Sequence, residues 1–372
     1  MQKTNSEDLT ARLIAHVQQD TSDHFPNTVV ESSDIYRDPV RWQQERQKLF
    51  FDSPQLIAFA GEVAQPNSFL TAECMGVPIV VTRDENSQLH AFVNACAHRG
   101  AEVASGCGQG RRLTCKFHGW SYGLDGRLLA MPEEKAFTID KQCHGLQRLP
   151  VSDNSGLIVV GLTERVSQSA VDHFLDDIAP VLSGYGFDQA LSIETRRKEV
   201  AANWKLVVSL SHESYHFATL HRKSLMPMMT AHAAIDEYGL HTRWSFPLKG
   251  IEALDQVDAA QWPSRPPAVV SHTLFPGTIL IVNPRDAQII RAEPGLTPAT
   301  SVIFYTGICD DPAHREASEQ SYEFGWDIFV NEDLPAAEQC QRGLTHAHKE
   351  IVLGRNEPIV QLWHQRWHQA LT

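Results

Sequence analysis

Cys96-Ala97-His98-Arg99-Gly100 and Cys115-Lys116-Phe117-His118-Gly119-Trp120 are the two stretches on which the reading of this chain turns. Each supplies one thiol and one imidazole from a tight loop, in the pattern C-x-H-x16-C-x2-H, and the chain between them is long enough for one β excursion. A [2Fe-2S] cluster with two thiolates on one iron and two imidazoles on the other draws one Cys and one His from each loop. Neutral imidazoles carry less negative charge than thiolates, so the potential rises above that of an all-cysteine cluster and suits the passage of single electrons. With seven Cys and 18 His among 372 residues, random placement gives this quartet about 3 times in 10,000 at one fixed spacing. A mononuclear Cys2His2 zinc site is the rival, but zinc fingers carry C-x2-4-C followed by H-x3-5-H rather than mixed pairs. Cys107, between Gly106 and Gly108, belongs to neither pair and reads as a turn residue.

Outward from the loops the pattern is one of short strands: Pro78 to Thr82, a polar turn from Asp84 to Gln88, Leu89 to Val93, and a hairpin from Ser121 to Arg127 around Asp125-Gly126. These define an all-β unit from Gln55 to about Leu162. Residues 1–48 are polar with scattered apolar positions and read as an arm, with a short helix from Arg41 to Phe50 leading out of it. Past the β unit, Gln168 to Leu182 has helical spacing. Ile193 to Val200, His241 to Phe246, His272 to Val282, Ala287 to Arg291 and Ser301 to Ile308 read as strands. A long helical stretch from Pro312 to Gly343 and a helix from Ile359 to Ala370 complete the chain. The expected class is α+β, with a helical arm over 1–48, a β domain over 49–165 and an antiparallel-sheet-and-helix domain over 166–372.

The two cysteine–histidine segments, followed by Gly123-Leu124-Asp125-Gly126, resemble the Rieske domain of the ring-hydroxylating oxygenase α subunits. The resemblance implies that Cys96, His98, Cys115 and His118 hold the [2Fe-2S] cluster and that Arg99-Gly100 and Gly119-Trp120 shape its loops. It extends over about residues 55 to 365. Asn203-Trp204-Lys205, followed by Glu213-x-Tyr215-His216-x4-His221, is similar to the family's mononuclear Fe(II) site. Two histidines and one carboxylate on one face of the ion leave three positions for O2, water and substrate. His216 and His221 stand five apart, about 140° round an ideal helix, so the helix must distort or end between them.

The family places its third ligand downstream on a long helix, and Asn331-Glu332-Asp333 with Glu338-x2-Gln341-Arg342-Gly343-Leu344 is similar to that segment. Asp333 is the expected ligand; helical spacing puts Trp326, Val330 and Ala337 on its face, apolar surroundings in which a carboxylate needs a partner. The alternatives are that Asp333 caps a helix starting at Leu334-Pro335, or that Glu332 is the ligand. Glu213 aligns with the family's bridging carboxylate, between a cluster histidine of one subunit and an iron histidine of the next. That position is more often Asp, with Glu in some members acting on quaternary amines. The family often has Glu-Asn where this chain has Ser209-Leu210, and the resemblance is weak across Leu240 to Thr300, the stretch expected to form much of the pocket.

His212-Glu213-Ser214-Tyr215-His216 also spells H-E-x-x-H, which on a helix binds zinc and supplies the base of a metallohydrolase. That reading leaves the cysteine–histidine quartet, His221 and Asp333 without a purpose. A Rieske electron-transfer protein, the other alternative, leaves the large second domain without one. Trp363 and Trp367, with His364 and His368, repeat at i,i+4 and read as packing; His346 and His348 read as a solvated helix end.

The formal charge of -13 gives no basic footprint for nucleic acid. No apolar run is long enough to span a membrane, and the polar start lacks the layout of a signal peptide, so a cytoplasmic protein is expected. No G-x-G-x-x-G after a strand and no P-loop is present, so nicotinamide and flavin binding are not supported and electrons must come from outside; the resemblance implies NAD(P)H as their ultimate source, through a ferredoxin or flavin reductase. The resemblance further implies a head-to-tail homotrimer, each cluster serving the neighbouring iron. The expected activity is O2-dependent hydroxylation, dihydroxylation or oxidative demethylation of a small aromatic or amine substrate.

Overall fold

A computed structural model describes residues 3–309, 311–346 and 349–372. Contacts divide the chain into two compact units: Phe50–Ala179 with Gly186–Leu191, and Met1–Leu49 with Pro180–Tyr185 and Ser192–Thr372.

The first unit is built from three small antiparallel sheets. Five strands follow the order Arg148–Leu149, Leu89–Val93, Val77–Arg83, Ser68–Cys74 and Cys107–Gln109. The β-branched run Ile79, Val80 and Val81 is fully buried at the centre of that sheet. The turn between its strands is closed by Asp84, whose Oδ1 accepts from the amides of Asn86 (2.8 Å) and Gln88 (2.9 Å). A second sheet pairs Val151–Asn154, Leu157–Val160 and Gln55–Phe59, and a third pairs Arg112–Thr114, Ser121–Gly123 and Leu128–Ala130. Cys107 lies in a strand, not a turn.

The second unit centres on a seven-stranded sheet in the order Leu191–Val200, Ser301–Cys309, Ala287–Pro294, Thr278–Val282, Ala268–Leu274, His241–Pro247 and Ala234–Tyr238. Its consecutive pairs from Ser301–Cys309 to Ala234–Tyr238 are antiparallel. The strand expected from His272 to Val282 is two strands, because Phe275-Pro276-Gly277 turns the chain between Leu274 and Thr278. The helix expected from Gln168 to Leu182, in the first unit and running into the second, is likewise broken into Gln168–Asp172 and Ala179–Leu182.

Residues 1–48 are more than a polar arm. Lys3–Gln19 is a helix whose Leu9, Leu13 and Ile14 are buried, and its Arg12 pairs with Asp236 (2.7 Å) and Asp23 (3.0 Å). Val29–Ser32 then pairs antiparallel with Glu350–Leu353. The short helix lies over Pro39–Glu45, started by Asp38 at its cap and Pro39 at its first position, and it continues as a π-helix over Arg46–Phe51.

Asn203-Trp204-Lys205 fastens this N-terminal segment to the sheet domain. The Asn203 side chain caps the helix Trp204–Leu210 and donates to the carbonyls of Tyr36 (3.3 Å) and Pro298 (2.7 Å). Trp204 Nε1 donates to Glu45 Oε2 (3.1 Å), and the Lys205 ammonium pairs with the same carboxylate; Lys205 and Glu45 are both buried. Burial pulls the Lys205 pKa down to about 8, against the pull of Glu45. Arg41 Nε also pairs with the buried Glu45 (3.2 Å), so removing the ammonium leaves that carboxylate with a weaker compensation rather than none. Lys205→Met should lower unfolding free energy by no more than about 3–5 kcal/mol, measured by denaturant titration, and adding Glu45→Leu should recover only part of the loss, because Arg41 and the Trp204 indole lose their shared acceptor.

Candidate metal centres

In the first unit the two loops close in the same way. The amide of Gly100 donates to the Cys96 carbonyl (2.8 Å) and that of Cys96 to the Ala101 carbonyl (2.8 Å); Gly119 donates to Cys115 (2.9 Å) and Cys115 to Trp120 (2.9 Å). Each loop reverses through a glycine at positive φ, +77° at Gly100 and +75° at Gly119, where a side chain would be strained. The result brings the His98 and His118 rings to 4.6 Å between centroids. Cys96 and Cys115 are buried in one apolar cluster with Trp120, Tyr122, Val103 and Leu113. Trp120 stacks on His98 at 5.0 Å, and Phe137 meets it edge-on at 5.9 Å.

Tyr122 was absent from the sequence reading. Its hydroxyl lies 3.1 Å from Cys96 Sγ and accepts from the Ala97 amide (3.0 Å). Burial, followed by the hydrogen bond to Cys96, keeps that phenol protonated well above its usual range. Desolvation, then Arg99 and His98, lower the His118 pKa and favour the neutral ring that ligates metal. Arg99 Nη2 stands 2.9 Å from His118 Nε2.

In the second unit the ligand atoms of His216, His221 and Asp333 all lie within 4.8 Å of one another. Asp333 Oδ1 is 3.1 Å from His221 Nε2 and 3.8 Å from His216 Nε2. The helix Trp204–Leu210 ends before the two histidines, which sit on successive turns; the His216 carbonyl accepts from Leu220 (2.7 Å) and the His221 carbonyl from Leu225 (3.1 Å). A helix ending or distorting between the two histidines was expected; instead it ends before both, and neither lies on a regular helix. Asp333 is the last residue of a π-helix, Phe329–Asp333, set between the helices Arg315–Ile328 and Leu334–His346. Pro335 has no N–H to offer the carbonyl four residues back, and the Leu334 amide reaches five back, to Phe329. The Asp333 carboxylate faces the imidazoles, which is not the posture of a helix cap.

The outer nitrogens of both imidazoles are held by carboxylates. His216 Nδ1 pairs with Glu213 Oε1, while the His216 amide donates to Glu213 Oε2 (3.1 Å). His221 Nδ1 lies 2.7 Å from Glu332 Oε2, which also accepts from Ser224 Oγ (2.8 Å). Glu332, the alternative ligand, thus stands behind His221 and not on the ligand side. Burial opposes a charged His221, but Asp333 and Glu332 outweigh it and raise its pKa.

His212 corrects the zinc-hydrolase alternative. It is buried in the core, 2.7 Å from Thr273 Oγ1 and edge-on to Trp363, with its pKa brought down to about 3 by burial and by His364. The H-E-x-x-H stretch is not helical, and His212 is not among the converging ligands. Trp363 and Trp367 are fully buried, as packing residues are. His346 ends its helix exposed, and His348 lies outside the described residues.

A cavity of about 340 Å³ opens over His216, His221 and Asp333. Phe217, Trp244, Phe246, Tyr305 and Leu210 are in its wall, together with Asp286 and Gln288. The stretch 240–300 supplies much of this lining, as expected, and Leu210 is the apolar residue at the position where the family often has Asn.

The fold and the two sites define an oxidoreductase that joins an iron–sulfur module to a separate mononuclear metal site. Residues 53–150 match the Rieske [2Fe-2S] domain family, and residues 187–372 match the ring hydroxylating alpha subunit (catalytic domain) family. The chain belongs to the Rieske non-heme iron oxygenases, as an oxygenase α subunit. It is 27% identical over 327 residues to the carnitine monooxygenase oxygenase subunit of Acinetobacter baumannii, covering 86% of this chain and 85% of that one. It is 32% identical over 197 residues to the glycine betaine monooxygenase oxygenase subunit of Pseudomonas aeruginosa, covering 52% of this chain and 45% of that one. The crystal structure of a quaternary ammonium Rieske monooxygenase with L-carnitine shares the fold, at a TM-score of 0.78 and 22% identity over 92% of this chain and 95% of that one. Among the described residues, no helix is long and apolar enough to cross a membrane.

The family implies a [2Fe-2S] cluster and a mononuclear iron, and the residues present fit both. His98 Nδ1 is buried without a hydrogen-bond partner, in a loop pair that also buries two unbridged thiols. At the second site, ligand atoms bound at right angles about 2.1 Å from one metal lie about 3 Å apart, close to the 3.1 Å between Asp333 and His221. Cys96→Ser or His118→Ala should abolish the visible absorbance and the low-g EPR signal of the cluster, since each removes one of four ligands. Cys107→Ser should leave both spectra intact, and an unchanged spectrum in either ligand variant would remove that residue from the cluster.

Proposed function

We propose that this oxygenase subunit catalyses O2-dependent monooxygenation of a small organic amine, with electrons from NAD(P)H delivered by a ferredoxin or flavin reductase. Cys96, His98, Cys115 and His118 hold the cluster, and His216, His221 and Asp333 hold Fe(II), which when bound supplies the O2 activation that side chains cannot. The observation that carries the amine reading is the aromatic wall of the cavity. Phe217 and Phe246 meet edge-on at 5.2 Å, and Trp244 lies 4.7 Å from Phe246. Faces of this kind attract an organic cation within about 6 Å through the ring quadrupole. The relatives aligned over most of their length are named for carnitine, a quaternary amine. A Glu at position 213 agrees with family members that act on such amines.

The protein's own part is positioning. Glu213 and Glu332 fix the imidazole tautomers so that both Nε2 atoms face Asp333. The apolar wall keeps bulk water from the reacting carbon. At an N-methyl group, one oxygen atom of O2 enters the C–H bond; the other leaves as water with two electrons and two protons. The hydroxymethyl product then releases formaldehyde and the shortened amine. Purified protein with a generic reductase, offered quaternary and tertiary amines, aromatic acids and methyl ethers, should consume O2 with amines and give products 16 mass units heavier or formaldehyde. A cis-dihydrodiol from an aromatic acid, with no amine turned over, would overturn the reading.

The proposal extends to a head-to-tail homotrimer in which Glu213 links His216 to His118 of the partner subunit. Glu213→Gln keeps the size but not the charge, so it should retain both metals while weakening the orientation of the imidazoles. Single-turnover reoxidation of the reduced cluster, with substrate and O2 at full iron occupancy, should slow by orders of magnitude. Wild-type reoxidation coupled to product would show that Glu213 is not the link.

A further inference from the structure

Two rows of apolar side chains lead through the cavity wall from the candidate iron ligands to solvent. On the helix side the row runs from Asp333 through Phe329 and Ile328, both buried, to Phe324, which is 45% exposed. Phe324 and Ile328 stand four apart on Arg315–Ile328 and share one face, and the rise from Asp333 to Phe324 is roughly 13 Å of helix. The second row follows the turns after His221. The His221 carbonyl accepts from Leu225 (3.1 Å), and the Leu225 carbonyl accepts from Met228 (2.9 Å) and Met229 (3.2 Å). Met229 is buried, Met228 is 44% exposed, and all three side chains line the cavity. At the inner end the Phe217 ring meets His216 at 5.0 Å and His221 at 5.6 Å, and Leu225 and Met229 pack in one hydrophobic cluster with Phe217, Trp244 and Phe246. The apolar wall is therefore continuous from the aromatic faces beside the ligands to an opening flanked by Met228 and Phe324. Among the polar lining residues, Asn283 and Ser321 donate to Asp286, and Gln288 donates to the Ser321 carbonyl, so this part of the wall is held by the protein's own hydrogen bonds.

We infer that the substrate amine carries a hydrocarbon chain, which lies between these two rows with its nitrogen at the aromatic faces and its far end toward Met228 and Phe324. The inference rests on the amine reading and deepens it. Large apolar side chains at the rim of a pocket mark a surface that a ligand or partner covers. A methylene group moved from water into such a passage strengthens binding in proportion to the area it buries, whereas a charged nitrogen in aliphatic surroundings is penalised. The two ends of the molecule are sorted accordingly, the cation to the rings and the chain to the rows. Unbranched thioethers repack around chains of different shape, which suits Met228 and Met229 to this place. The orientation brings the N-methyl groups, and not the chain, to His216, His221 and Asp333. The rival occupant of the rim is a second copy of this chain, covering Met228 and Phe324 from outside.

A homologous series tests this directly: tetramethylammonium and the butyl-, hexyl-, octyl- and decyltrimethylammonium ions, titrated into the oxidised holoenzyme by calorimetry without O2. Affinity should rise by up to about fourfold for each added methylene and level off once the chain emerges past the rim. Phe324→Ser should weaken the octyl compound roughly tenfold more than it weakens tetramethylammonium. Met228→Ser, on the other row, should act in the same sense. In turnover the nitrogen should lose a methyl group as formaldehyde while the chain is recovered intact. Binding that is flat along the series, or oxygen found in the chain, would overturn the inference and leave the amine reading standing. A flat series together with a changed oligomeric state of Phe324→Ser in light scattering would assign the rim to a contact between copies of the chain. If no member of the series binds, the amine reading and the chain passage fall together. The series in the unaltered enzyme decides the matter even where a variant does not fold.

Discussion

Two imidazole nitrogens and one carboxylate oxygen must point at a common centre, and an imidazole has two nitrogens that can point there. The catalytic unit resolves this by occupying the outer one in each case. Glu213 takes His216 Nδ1 and Glu332 takes His221 Nδ1, so that both Nε2 atoms are left toward Asp333. A free imidazole exchanges tautomers readily, and a neighbouring carboxylate fixes which nitrogen is protonated. Three carboxylates surround the two histidines, and Asp333 and Glu332 raise the pKa of His221 against its burial. The same carboxylates favour positive charge at the centre, that of a divalent ion included.

The backbone around the site bends to this requirement. An uninterrupted helix would splay His216 and His221, and the chain places them on successive turns beyond the helix Trp204–Leu210. On the opposite side, the wide turn ahead of Pro335 gives Asp333 and Glu332 different tasks, one at Nε2 of His221 and the other at its Nδ1. The two ligand-bearing segments are also tied together away from the site. Gln341 accepts from the Asn203 amide (2.9 Å) and Glu338 from the Ala201 amide (3.2 Å). Helix Leu334–His346 is thereby fastened to the start of the helix that leads to His216. Asn203-Trp204-Lys205 and Glu338-x2-Gln341 are therefore scaffold, holding the distance that the three ligands need.

Much of this was legible in the sequence, for reasons that differ by residue. Cys96, His98, Cys115 and His118, which the fold gathers on two neighbouring loops, could be read as a group because chance rarely reproduces their spacing. The strands could be read where β-branched residues cluster, as at Ile79-Val80-Val81. Glu332 was harder, since a carboxylate next to Asp333 gives no sign of which side of an imidazole it will meet until the π-turn sets its direction. The helix Lys3–Gln19 was hidden because the large apolar residues it buries, Leu9, Leu13 and Ile14, make a short stripe, while Arg12 is satisfied by Asp236, 224 positions away. Tyr122 acts through Cys96 and Ala97, 26 and 25 positions away, and no local pattern announces it.

The two metal-binding loops of the β unit illustrate how little sequence is needed when geometry repeats. Loops Cys96–Ala101 and Cys115–Trp120 share the same pair of backbone hydrogen bonds and the same glycine turn, yet the histidine stands two residues after Cys96 and three after Cys115. The planes of the two imidazoles, one on each loop, cross at 72°. Trp120 then backs His98, while Arg99 stands against His118, so the two rings differ in surroundings as well as in direction. Two rings that are to share one iron must approach it from different sides, and the pair reaches 4.6 Å between centroids because two loops closed by the same hydrogen bonds each bring one histidine to the meeting point.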